Sequence, residues 1–261
     1  MTANQLHFLP TALLPTYCEA VPEAHLRRYE DLQDSELSVE AFSFYTSVAA
    51  VYSSKIEGEA IELDSYVKHK RFGVEFQPDY TRKIDDLYDA YQFAKSHALN
   101  RAHLEEAHGL LTRNILPAHR QGKLRTGMMY VTTPDGRIEY VAASPYEVPK
   151  ELEKFYHDLG VLLTVELCLQ EVFFFASLLQ LVFVKIHPFD DGNGRAARLL
   201  EKWFLAEKLG DKAWLIPSER HYYEQHAGYY DNIRLLGLEY ETLDYGQALS
   251  FLMMLPKALA S

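Results

Sequence analysis

His187-Pro188-Phe189-Asp190-Asp191-Gly192-Asn193-Gly194-Arg195-Ala196-Ala197-Arg198, HPFDDGNGRAAR, interrupts a helical stretch and sets how the rest of the chain is read. Before it, Val172 to Val184, VFFFASLLQLVFV, is 13 residues of nearly unbroken apolar sequence around Gln180. Spanning a bilayer takes ~20 apolar residues, so this run reads as the buried centre of a helical domain and not as a membrane span. After it, helical spacing resumes from Arg195 to Leu209. Pro188 and Gly192 break the backbone between the two helices, and Gly192-Asn193-Gly194 forms a pliant turn whose N–H groups can converge on one point.

That junction suits an anion. The free first-turn N–H groups and the positive end of the following helix dipole meet there. Arg195 and Arg198, three residues apart, share a face of that helix. Asp191 adds a hard oxygen ligand of the kind with which Mg²⁺ is held while it keeps waters and phosphate oxygens. His187, neutral near pH 7, can take a proton from an incoming hydroxyl, and Phe189 reads as an apolar plug. Each residue alone has a plainer reading: a helix stop, an N-cap aspartate at 190 or 191, a pair of solvated arginines. Taken together they favour a magnesium-nucleotide site.

Outward from the loop the pattern is mostly helical. Ser35 opens a periodic run, ELSVEAFSFYTSVAAVYSSKIEG, with Glu36 and Glu40 in its early turns and Gly58 as its stop. A helix follows Asp79, with Ile84, Leu87, Tyr88, Tyr91 and Ala94 at three- and four-residue steps, and another covers Ala102 to Leu116, closed by Pro117. Strand-like MMYVTT and RIEYVAA flank Pro134-Asp135-Gly136, which predicts a β-hairpin. Helical spacing returns from Val148 to Leu159 and from Ser218 to Leu236. The N-terminal stretch to about residue 33, with Pro10, Pro15 and Pro22, reads as an extended arm packed on the body. The fold class is mostly all-α with one small hairpin.

The chain has 261 residues, 48% hydrophobic and 24% charged, with a formal charge of -11. This composition suits an ordinary globular protein, and the acidic balance argues against a nucleic-acid partner. Cys18 and Cys168 have neither a metal nor a redox spacing, and Cys168 reads as core. The N-terminus has no cationic start followed by an apolar run, so a cytoplasmic location is expected.

HPFDDGNGRAAR resembles the Fic motif, His-x-Phe-x-Asp/Glu-Gly-Asn-Gly-Arg with a second Arg after two further residues, at every position. The resemblance implies a Fic-fold helical bundle with a hairpin called the flap, and a Mg²⁺-dependent enzyme that moves AMP from ATP to Ser, Thr or Tyr of a target protein. Carried over by position, His187 is the general base, Asp191 the Mg²⁺ ligand, Gly192, Asn193, Gly194 and Arg195 the phosphate cradle, and Arg198 the γ-phosphate clamp. Doc-type relatives that use ATP differently carry Lys at the place of Gly194, which favours adenylyl transfer over phosphorylation. By the same resemblance the flap, about 130–141, receives a target segment as an added strand. Tyr229 and Tyr230 in SERHYYEQHAGYY pack on the adenine, although core packing is the plainer role for either tyrosine.

Glu57 sits at the negative end of its helix dipole, unfavourable by roughly 0.3–1 kcal/mol at an exposed site unless a cation pairs with it. Ser53-Ser54-Lys55-Ile56-Glu57-Gly58 resembles the inhibitory Ser/Thr-x-x-x-Glu-Gly/Asn motif of Fic proteins, which implies that Glu57, steadied by Ser53, pairs with Arg198 and restrains the site. The expected organisation is an N-terminal helical region over 1–99 with the inhibitory helix at about 35–58, a Fic core over 100–236 and a helical tail over 237–261. Alternatives from the same residues are removal of AMP from a modified protein, another donor such as UTP or GTP, and a non-enzymatic nucleotide-binding scaffold. A homodimer is compatible with the sequence.

Overall fold

A computed structural model describes residues 6–39, 42–132 and 138–260. Its centre is helix α8 (Leu169–Ile186), buried at every position from Val172 to Ile186. Apolar side chains on all sides leave this helix no stable surface position, and 83% of its length is covered by the bundle. Against it packs α9 (Asn193–Leu209), also buried along most of its length, and the loop between the two helices is the segment that defines the site.

Around this pair run, in chain order, α1 (Leu14–Ala20), α2 (Glu23–Leu26), α3 (Phe44–Ile56), α4 (Leu63–Phe72), α5 (Pro78–Ser96), α6 (Arg101–Leu111) and α7 (Val148–Thr164). After α9 come α10 (Ser218–Glu224), α11 (His226–Arg234), α12 (Leu249–Leu252) and α13 (Met254–Lys257). The hairpin joins β1 (Tyr130–Thr132) to β2 (Ile138–Val141), antiparallel, with Tyr130 opposite Val141 and Val131 opposite Tyr140. The turn expected at Pro134-Asp135-Gly136 lies outside the described residues. The mostly helical class with one small hairpin is therefore the observed one.

Several expectations are corrected. The N-terminal stretch is not an extended arm: Pro15 lies in the first turn of α1 and Pro22 caps α2, both positions where a missing N–H is harmless. Asp158 of α7 ties down what precedes them by accepting from the N–H groups of His7, Phe8 and Leu9 at 3.0, 2.8 and 2.8 Å. α3 begins at Ser43 and not at Ser35. The Ser35 hydroxyl accepts from Leu37 N–H and the Ser38 hydroxyl from Phe44 N–H, local bonds that compete with the helix. Glu36 therefore precedes the helix, and Glu40 lies outside the described residues. α6 stops at Leu111, where the Thr112 hydroxyl donates back to His108 O. The run from Ser218 breaks at Gln225 into two helices. α4 has only Tyr66 buried and no periodicity to announce it. Cys168 is exposed, because it caps α8 and receives Glu171 in a capping box instead of joining the core.

Candidate active site

The loop after α8 is fixed before any ligand is considered. His187 closes the helix in the left-handed region, φ 52°, with its N–H on Phe183 O, a conformation that costs a non-glycine residue energy and that surrounding contacts must hold. Arg125 does much of that holding. It is 2% exposed, its Nε donates to His187 O at 2.6 Å, its two terminal nitrogens donate to the carbonyls of Gly127, Ala143 and Ile186, and its backbone N–H donates to Pro188 O. Phe189 is wholly buried and stacks on the His108 ring at 3.6 Å between centroids. Asn193 bonds the Phe189 backbone on both sides, Oδ1 accepting from its N–H and Nδ2 donating to its carbonyl, each at 2.9 Å. Its side chain is therefore a loop staple.

His108 extends the staple to Asp191. Its Nε2 lies 2.8 Å from Asp191 O, and its Nδ1 accepts from Gly122 N–H at 3.0 Å. Burial lowers its pKa to about 4, so the neutral ring with Nε2–H donating satisfies both bonds. Gly192, φ 77°, adjoins the same ring, and a Cβ there would lie 2.7 Å from Thr112 Cγ2, so the turn requires glycine on two counts.

His187 is tuned in the same direction. Its Nδ1 sits 3.1 Å from Val184 O and 3.0 Å from the Tyr140 hydroxyl, which itself donates to Val184 O. With Tyr140 donating to the carbonyl, Nδ1 carries the imidazole proton and Nε2 keeps its lone pair, the tautomer a base needs. Burial lowers its pKa to about 4, against the opposing pull of the Val184 carbonyl. Both histidines thus stay neutral in the fold where an unfolded chain would protonate them near pH 6.5. Folding stability should be intact above about pH 6.5 and fall as the pH drops toward 4, by up to about 1.4 kcal/mol per pH unit for each ring. Urea unfolding across that window should give a slope that His108→Gln reduces; an unchanged slope would assign the acid sensitivity to other groups.

The Asp191 carboxylate is exposed, with Oδ1 accepting from Gly192 N–H. Among the described residues no cluster of three or more His, Cys, Asp or Glu side chains gathers around a point. The donor set is one accessible carboxylate beside a helix N-terminus, which fits Mg²⁺ carried mainly on phosphate oxygens and water.

Two guanidinium groups stand where phosphates would arrive, and both are already paired. Arg198, 1% exposed, donates to Ser53 Oγ at 2.9 Å, Ser53 O at 3.0 Å and Glu57 Oε1 at 2.6 Å. Burial alone would raise the Glu57 carboxyl, but Arg198 and then Arg195 hold it below its ordinary value. Gly194 lies directly under this carboxylate: a Cβ there would collide with Glu57 Oε1. Arg195 donates through one nitrogen to both carboxylate oxygens of Glu59, 2.6 Å each.

The expected residues therefore converge, with two differences in role. Asn193 serves the loop through its side chain, and Tyr229 lies in the core, 1% exposed, its hydroxyl receiving Gln180 Nε2 at 3.0 Å and facing Arg198 at 3.5 Å. Tyr230 is half-buried, edge-on to His226. Neither Glu59 nor His108 was singled out from sequence. Glu59 follows Glu57 by two residues beyond a helix end, where no periodicity marks it.

The Fic/DOC family profile matches residues 98–205. No curated protein matches the chain. Among solved structures, a Fic family protein from Desulfovibrio desulfuricans superposes with a TM-score of 0.74 at 20% identity, over 98% of this chain and 75% of the other. Fic-1 from C. elegans gives 0.68 at 19% identity, covering 96% and 71%. A Fic domain containing signaling protein from Bacteroides thetaiotaomicron gives 0.62 at 17%, covering 95% and 92%. Residues 98–205, the site loop included, match the Fic/DOC family, in a chain that shares the fold of these Fic proteins.

Proposed function

We propose that this chain is an autoinhibited protein adenylyltransferase that transfers AMP from ATP to a Ser, Thr or Tyr hydroxyl of a target protein, in the cytoplasm. The observation that carries the reading is the pairing of Glu57 with Arg198 beside a half-buried His187 whose ring stays neutral.

In the forward reaction the target hydroxyl oxygen bonds to the α-phosphorus, the bond to the β-phosphate oxygen breaks, and pyrophosphate leaves. His187 Nε2 accepts the hydroxyl proton, its ring orientation held through Nδ1 by Val184 O and Tyr140. The free N–H groups at the start of α9 bind the phosphates, and Arg198, once released by Glu57, holds the terminal one. Mg²⁺, when bound through Asp191, supplies neutralisation of phosphate charge. In-line placement does the rest. The target segment adds to the hairpin as a strand.

Glu57→Gly should raise autoadenylylation at least about tenfold, the effect of a restraint worth about 1.4 kcal/mol. Intact-mass spectrometry after incubation with ATP and Mg²⁺ reads the added AMP. No addition by either form would sink the adenylyltransferase reading. A wild type that instead strips AMP from a modified protein faster than Glu57→Gly would favour the reverse reaction, in which the partly exposed Glu57 carboxylate orients water.

A further inference from the structure

The turn after α3 carries two carboxylates to α9, and they are held differently. Gly58, φ 97°, turns the chain, and the N–H groups of Glu57 and Glu59 both return to Ser54 O. Glu57 meets Arg198 through one oxygen and keeps 27% of its side chain exposed. Glu59 meets Arg195 through both oxygens, and each partner is 5% exposed. Lys83 of α5 also approaches Glu59, at 3.4 Å from Oε1.

Rotating Glu57 away from Arg198 delivers its carboxylate to water. Parting Glu59 from Arg195 would leave a buried guanidinium without its carboxylate and Glu59 with Lys83 alone, a far more expensive step. Arg195 offers no relief of its own, since its Nε is buried with no hydrogen-bond partner among the described residues. Arg198, for its part, stays in place without Glu57, because Ser53 Oγ and Ser53 O still accept from it.

We propose that Glu59 is the anchor of the inhibitory segment: its pairing with Arg195 holds the turn at 57–59 on the first turn of α9, so that Arg198 is freed by rotation of the Glu57 side chain alone. The inference rests on the inhibitory reading of Glu57. It makes Arg195 a post for the brake before it is a ligand for phosphate. Glu59 acts through another residue and is a positioning residue.

Hydrogen exchange of the full chain, read on peptides covering 53–61, tests this. Glu57→Gly should keep wild-type protection there within about twofold, whereas Glu59→Gln should exchange at least about tenfold faster and transfer more AMP than wild type, because the brake has lost its seat. Should Glu59→Gln fail to fold, Glu59→Asp, which keeps the charge and shortens the reach, should show the same faster exchange. Loss of protection in Glu57→Gly, or unchanged exchange in the Glu59 variants, would overturn the anchor. If the exchange pattern holds while no variant transfers AMP, the anchor stands and the adenylyltransferase reading fails.

Discussion

His187→Ala, made in the Glu57→Gly background where transfer is fastest, should lose about 10²- to 10⁴-fold in the rate of AMP incorporation, the range that a positioned general base contributes. The loss should fall on the chemical step, since the phosphate-binding groups of α9 remain. Because His187 occupies a left-handed conformation, φ 52°, alanine there keeps that backbone cost and loses the ring contacts to Val184 O and Tyr140 that help to hold it. His187→Asn separates the two effects, as asparagine tolerates that conformation but supplies no base. Both variants should be equally slow in a labelled-ATP assay, and only the alanine should unfold more easily. An asparagine variant that retained most of the rate would remove His187 from the role of base.

Arg125→Met should cost about 3–5 kcal/mol of folding stability in urea titration and abolish transfer with it. The guanidinium donates to the carbonyls of His187, Ile186, Gly127 and Ala143. Methionine fills similar space but leaves these carbonyls without that donor, at about 1–3 kcal/mol for each one left unsatisfied in the interior. Arg125→Lys should recover little, because one ammonium cannot span carbonyls that a planar fork reaches from several edges. A lysine variant as stable as wild type would show that the charge matters and the fork does not.

What could be read in advance follows from where local chemistry decides. The apolar run to Ile186 has one stable place in a folded chain, and Pro188 and Gly192 break it from the helix that follows, so this helix–loop–helix was legible. Helix ends were less so. Ser35 and Ser43 are equivalent caps by composition, and the later start is favoured by the bonds of the Ser35 and Ser38 hydroxyls and by the Ser43 hydroxyl accepting from Thr46 N–H. Cys168 was misplaced because apolar neighbours in sequence do not imply an inward side chain at a helix start. The second acid, Glu59, and the ring of His108 depend on which helices meet, a tertiary outcome that spacing along one element does not contain. Tyr229 carries the same lesson: its hydroxyl answers Gln180 and Arg198 from inside the bundle.

The loop between α8 and α9 stands fully ordered by its own staples, Asn193 on Phe189 and His108 on Asp191. On the proposed function, nucleotide association would carry little entropic penalty for organising that segment. On the same reading, turnover would then depend on the chemistry and on how often the Glu57 side chain leaves Arg198.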